Sequence, residues 1–255
     1  MNNLQEYKET TLEIIEKIGC EYEVFTSKNT ASEVEKAYFK AVEEGKKAGF
    51  VPVLVVADDT LAEWLGILED EKYEKDKVLS SKEDGKQILQ NRYKEYTDDY
   101  MEDNGFDEDE VEETLQELVG DLDEAEGEEI KHFMGYQSYT GTGIEEVILF
   151  HIPVKNPWEV VAWLPMGGWN ECPEAKEMMA VAKYWYEQYG AVIATMSHDT
   201  LEFYVKNEVE DSDKAMELAN EMYGFCPDCV DQGAGDIATL TAGIQESKMW
   251  FFWWD

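Results

Sequence analysis

The run Met249-Trp250-Phe251-Phe252-Trp253-Trp254-Asp255 sets five large aromatic residues side by side. In a β-strand successive side chains point to opposite faces of the sheet. A strand of this composition therefore needs apolar cover on both faces, and the run predicts a central strand of a sheet packed with helices, not a loose tail. A second run, Val51-Pro52-Val53-Leu54-Val55-Val56, is apolar almost throughout and also reads as a strand buried on both faces.

Around these runs the apolar spacing alternates between helix and strand. Leu4, Tyr7, Thr11, Ile14, Ile15 and Ile18 fall at helical spacing before Gly19, and Glu21 to Phe25 reads as a short strand. A second helix follows Thr30 and runs to about Lys47; a third, capped by Asp58 or Asp59, packs through Leu61, Trp64, Leu65 and Leu68. This order predicts an α/β portion over residues 1–68, its two strands pairing in parallel.

From Glu69 to Glu129 the composition turns strongly acidic. Helices are expected over about Ser81–Met101 and Asp107–Val119, with narrow apolar stripes. Residues 69–143 are thus read as an acidic helical insertion that faces a partner. Asp103-Asn104-Gly105-Phe106-Asp107 invites a calcium-loop reading, but the sixth and twelfth places hold Glu108 and Thr114, where the loop needs Gly and Glu.

The remainder, 144–255, reads as strands at Glu145–His151 and Glu159–Leu164, then a helix from Pro173 to Tyr189 with Cys172 as its cap. A hairpin turns at Ser197-His198-Asp199, a helix follows Asp211, and another covers about Asp236–Gln245. The fold class expected is α+β: a mixed or antiparallel sheet with packed helices, plus the acidic helical insertion.

The chain has 255 residues and a formal net charge of −37. Nucleic-acid affinity comes from Lys and Arg neutralising phosphates, and anionic membrane surfaces attract the same residues. Both partners are excluded on this ground, whereas a basic protein would be steered in. No stretch approaches the length of an apolar membrane span, and Met1-Asn2-Asn3-Leu4-Gln5-Glu6 lacks the pattern of a signal peptide. A cytoplasmic protein with reduced thiols is expected.

Several blocks resemble a known family: Gly167-Gly168-Trp169-Asn170-Glu171-Cys172-Pro173, Tyr184 to Ala191, His198 to Phe203, Phe225-Cys226-Pro227-Asp228, Val230-Asp231-Gln232-Gly233 and the aromatic run Trp250 to Asp255. Together they resemble the bacterial domain-of-unknown-function family numbered 4253. The resemblance implies a domain boundary near Ile144 and carries no activity with it. Where the family pattern has an apolar residue this chain has Cys229, which argues against a shared Cys-x-x-Cys chemistry.

No dinucleotide fingerprint, phosphate loop, His-Glu-x-x-His or Gly-x-Ser-x-Gly pattern occurs. The catalytic candidates are Cys172, His198, Cys226 and Asp228, none of them backed by a recognised pattern. A thiol near a helix start can be acidified, and His198 with Asp199 and Glu202 could exchange protons, although Asp199 at a hairpin tip is expected to bond its turn. Cys172, His198, Cys226 and Cys229 are the weak metal candidates, since a structural zinc needs about four such ligands. Trp169, Asn170, Asp228, Asp231 and Gln232 are the binding candidates, as polar loop residues beside aromatic strands. No cofactor is expected. The leading expectation is a binding protein, of the immunity type, that masks a basic partner. The alternative is a hydrolase-like, small-molecule-binding enzyme using the Cys226–Gln232 loop.

Overall fold

The computed structural model describes residues 7–104, 108–138 and 143–255. Its centre is one six-stranded mixed sheet. In chain order the strands are β1 (Glu21–Phe25), β2 (Val51–Val56), β3 (Val147–Ile152), β4 (Val192–Met196), β5 (Thr200–Tyr204) and β6 (Met249–Trp253), and across the sheet they lie as β1-β3-β2-β4-β5-β6. The expected α+β class, with a mixed sheet and packed helices, is what the molecule shows.

The helices are α1 (Glu9–Ile18), α2 (Ala31–Ala48), α3 (Asp59–Asp70), α4 (Lys75–Leu79), α5 (Gly85–Asn104), α6 (Glu108–Val119), α7 (Ala175–Tyr189), α8 (Ser212–Phe225) and α9 (Ile237–Glu246). Local signals fix their ends. Gly19 and Gly49 stop α1 and α2 in the left-handed region, and Thr30 with Glu33 forms a capping box. Asp58, Asp211 and Asp236 each accept a backbone hydrogen bond at the start of α3, α8 and α9.

One face of the sheet, carrying Val53, Val55, Phe150, Phe203 and Phe252, is covered by α1, α3, α7, α8 and α9. Trp185 of α7 is fully buried there, in edge contact with Phe203, Phe225 and Trp250 and stacked on Phe252. The other face, with Leu54, Val56, Leu149 and Ala194, is covered by Tyr38 and Ala41 of α2 and by Phe133 and Tyr136.

Four expectations are corrected. β1 and β2 do not pair; β3, apolar but for His151, lies between them, antiparallel to both. Residues Glu159–Leu164 are not a strand, for Pro157–Ala162 form a 3-10 turn. There the Glu159 carboxylate accepts hydrogen bonds from the Lys155 and Asn156 amides at 3.1 and 2.9 Å, and Val160 and Val161 are buried without extended pairing. The helix expected at Pro173 starts at Ala175 with Glu174 as its cap, leaving Cys172 buried in the preceding loop. Finally β6 is an edge strand, not a central one. Trp250, Phe252 and Trp254 are buried, but Phe251 and Trp253 on the opposite face are only half-buried.

The acidic segment does not stand apart from the sheet. Helix α5 lies against α7 and α8 so closely that a Cβ at Gly85 would come within 2.3 Å of the Ala180 carbonyl oxygen, and one at Gly224 within 2.6 Å of that of Leu89. Arg92 locks the contact, donating to the carbonyl oxygens of Gly224 (3.0 Å) and Glu171 and to the Tyr96 hydroxyl. The calcium-loop reading lies partly outside the described residues. Strands from residues 1–68 and from 144–255 share the sheet. Among the described residues no helix is long and apolar enough to cross a membrane.

Candidate binding clefts at one end and edge of the sheet

Strands β2 and β4 are parallel neighbours, so their carboxyl ends lie together. Such an end, where connections diverge, is the usual ligand crevice of open sheets. Two turns meet here: Ala57-Asp58-Asp59, which opens α3, and Ser197-His198-Asp199, which joins β4 to β5. Asp58 spans both. Its Oδ1 accepts from the Leu61 amide at 2.7 Å, and its Oδ2 accepts from the His198 amide at 3.3 Å.

The His198 ring sits between two carboxylates, with Nδ1 3.1 Å from Asp58 Oδ1 and Nε2 3.5 Å from Asp199 Oδ2. Asp58, in hydrogen-bonding range, raises the His198 pKa above its ordinary 6.5; partial burial opposes this, and the charges of Asp58 and Asp199 add to the rise. The imidazole is thereby pushed toward its protonated form and away from a free base. Asp199 serves the turn as expected: it accepts from Ser197 Oγ at 2.7 Å and from the Trp253 indole at 3.1 Å.

Glu202 does not join this group. It is fully buried on the α2 side of the sheet, where it accepts from the Met134 and Gly135 amides at 2.7 and 3.1 Å and from the Thr195 hydroxyl. Burial raises its pKa to about 7, against the lowering effect of those hydrogen bonds. Its role is to fasten residues 133–135 over the sheet, where they wall the clefts.

A cleft of about 770 Å³ opens over the His198 turn, bounded by Asp58, Asp59, Met134, Phe251 and Trp253. On the far side of His198 and Trp253, a recess of about 420 Å³ is lined by Trp64, Trp169, Trp254 and Asp255. The third cleft, about 650 Å³, runs along β6 between residues 126–137 on one side and α9 with the π-helical turn Cys229–Ala234 on the other. Its floor includes Met249, Phe251 and Trp253, and Glu126, Glu128 and Glu129 stand exposed on its rim.

The candidate residues separate among these places. Asp228, Cys229 and Gln232 line the β6 cleft, while Trp169 and His198 line the aromatic recess. Asp228 accepts from Gln232 Nε2 at 2.8 Å and from the Asp255 amide at 3.1 Å. Asn170, in the left-handed region at φ 44°, donates to the Asp255 carbonyl oxygen at 2.6 Å. Asn170 and Asp228 thus clamp one residue from two sides. Asp231 is exposed, and partial desolvation followed by the charge of Asp228 raises its pKa.

Residues 148–255 match the family model described as a domain of unknown function (DUF4253). The DUF4253 segment carries β3 to β6 and α7 to α9, hence His198, both clamps on Asp255 and the floor of the β6 cleft. Asp58, Met134 and the acidic rim come from residues before the match. No curated protein and no solved structure matches the chain.

The thiols of the DUF4253 segment are placed against reactivity. Cys226 is buried, donates to the Trp253 carbonyl oxygen at 3.1 Å, and is pushed up to about 12 by burial. Burial likewise raises Cys172 and Cys229, each further raised by Cys226. Neither Cys172 nor Cys226 has the acidified thiol that a helix start can give, because Cys172 precedes α7 by three positions and Cys226 follows the end of α8. Among the described residues no three His, Cys, Asp or Glu side chains are grouped to hold a metal ion. Sequence reasoning missed Asp58 as the partner of His198, Glu202 as a buried anchor and Arg92 as the tie to α5. Only Asp58 left a signal, in its place after an apolar strand.

Proposed function

We propose that this chain is an acidic binding protein that masks a basic protein partner, an immunity-type protein being the concrete form. The observation that carries this reading is the β6 cleft, an apolar and aromatic floor under a rim of exposed Glu126, Glu128 and Glu129. Recognition sites of this make bury aromatic anchors and use rim charges to steer and select the partner. The net charge of −37 extends that field over the molecule and opposes contact with nucleic acid or an anionic membrane. The four cysteines are free, which fits a reducing, cytoplasmic setting.

The groups that could do chemistry weigh on the same side. His198 is clasped by carboxylates, and all four thiols are raised by burial. A hydrolase-like enzyme working from the Cys226–Gln232 loop draws support from Asp228, Cys229 and Gln232 lining one cleft. Against it, Cys226 is buried and spends its S–H on a main-chain carbonyl.

Affinity capture from the source organism's lysate tests the proposal, with an unrelated protein of similar negative charge as control. The expected result is selective enrichment of one or a few basic proteins at low salt and their release at high salt. Equal capture by the control, or no basic protein retained, would remove the reading.

A further inference from the structure

The sheet has two edges, and they are protected very differently. The β1 edge carries Glu21 and Glu23, both exposed. Charges at such positions keep strangers from adding a strand. The β6 edge, Met249-Trp250-Phe251-Phe252-Trp253, carries no charge at all.

The pairing register shows which of its backbone groups are free. β6 pairs with β5 antiparallel, with Tyr204 opposite Met249 and Thr200 opposite Trp253. The Val205 amide donates to the Lys248 carbonyl oxygen at 2.8 Å and the Trp254 amide to that of Asp199 at 3.0 Å. Hydrogen-bonded pairs alternate with non-bonded ones in an antiparallel ladder. Trp250 and Phe252 therefore bond toward β5, and Met249, Phe251 and Trp253 turn their N–H and C=O groups outward. The outward carbonyl of Trp253 is taken by Cys226 Sγ. Among the described residues the main-chain groups of Met249 and Phe251 have no partner on that side, and they border the 650 Å³ cleft.

We infer that β6 is a docking edge: an extended segment of the basic partner adds to the sheet along β6, its lysine or arginine side chains reaching the acidic rim. The inference rests on the basic-partner reading above and names its site. Strand addition draws affinity from main-chain hydrogen bonds and specificity from what meets alternate side chains. Here one wall offers carboxylates and the floor offers Phe251 and Trp253. Among the described residues neither Glu126 nor Glu128 forms an ion pair, while Glu129 holds exposed Lys131 at 2.8 Å. The wall lies close to α9, since a Cβ at Gly127 would come within 2.0 Å of the Gly243 amide nitrogen. A second copy of this chain is the poorer occupant, because two molecules of charge −37 repel.

The test titrates the full chain by calorimetry with three probes: a short peptide alternating lysine and valine, its glutamate–valine counterpart, and the lysine–valine peptide with every backbone nitrogen methylated. The lysine–valine peptide should bind at least about tenfold more tightly than either control, and Glu126→Lys with Glu128→Lys should remove that advantage. Equal binding of the methylated peptide, no binding of the lysine–valine peptide, or indifference to the two substitutions would overturn strand addition at this edge. Concentration-dependent dimerisation of the free chain, abolished by Phe251→Pro, would overturn it in favour of a second copy. Lysate capture separates this failure from failure of the broader reading. A basic partner held equally by the native and doubly substituted chains sinks the edge alone, whereas no partner held by the native chain sinks both.

Discussion

Glu202 is a carboxyl group fully enclosed by protein, and His198 a partly exposed ring held between two carboxylates. Both have pKa values above their ordinary ones, Glu202 rising from 4.5 to about 7 and His198 rising above 6.5. In each case the folded state holds its proton more tightly than the unfolded chain. The stability each contributes is whole below its ordinary value and is lost as pH rises through the folded value. The molecule should therefore be more stable to urea at about pH 5 than at about pH 8. Glu202→Gln should flatten much of that slope and lower stability at both ends, because an amide cannot accept all three hydrogen bonds. A slope unchanged in Glu202→Gln would mean the carboxyl is charged throughout. His198→Asn should remove only the part of the slope lying above about pH 6.5, leaving the acid side as in the native chain. Neither behaviour is written in the sequence. Thr200-Leu201-Glu202-Phe203-Tyr204 alternates in a way that reads as Glu202 facing water, and only residues 133–135 folding over the sheet bury it.

At the scale of elements, apolar runs and caps were legible and their neighbours were not. The strands at 51–56, 192–196 and 200–204, and the caps Asp58, Asp211 and Asp236, follow from local pattern because the forces involved act within a few residues. Strand order does not, since it depends on contacts far apart in the chain; hence β3 between β1 and β2, and β6 at an edge. The 3-10 turn at Pro157–Ala162 was missed because a short apolar run looks the same in either conformation. The sequence places helix α5 in an acidic helical insertion, and the structure wedges it against α7 and α8. Arg92→Ala should cost about 1–3 kcal/mol through the carbonyl groups it leaves behind. Gly224→Ala should cost about as much by forcing the Leu89 carbonyl away. Urea denaturation checks both; two neutral outcomes would mean that α5 is held by other contacts.

For the whole molecule, charge was the most legible property and also the least specific. Roughly two-thirds of the negative excess lies in the first 130 residues, outside the DUF4253 segment, yet residues 126–137 return to form one wall of that segment's cleft. The candidate site was legible in part. Asp228 and Gln232 do line a cleft, and Trp169 and His198 share another, but the sequence could not show that β6 leaves an uncharged edge between them. Acidity and edge are joined in the proposal: carboxylates would attract a basic chain, and the open strand would receive it. Hydrogen exchange on the full chain, alone and with its captured basic partner, measures this most directly. The account predicts protection of the Met249 and Phe251 amides and of residues 126–137 in the complex. Protection confined to other surfaces, with these amides exchanging as in the free protein, would contradict it.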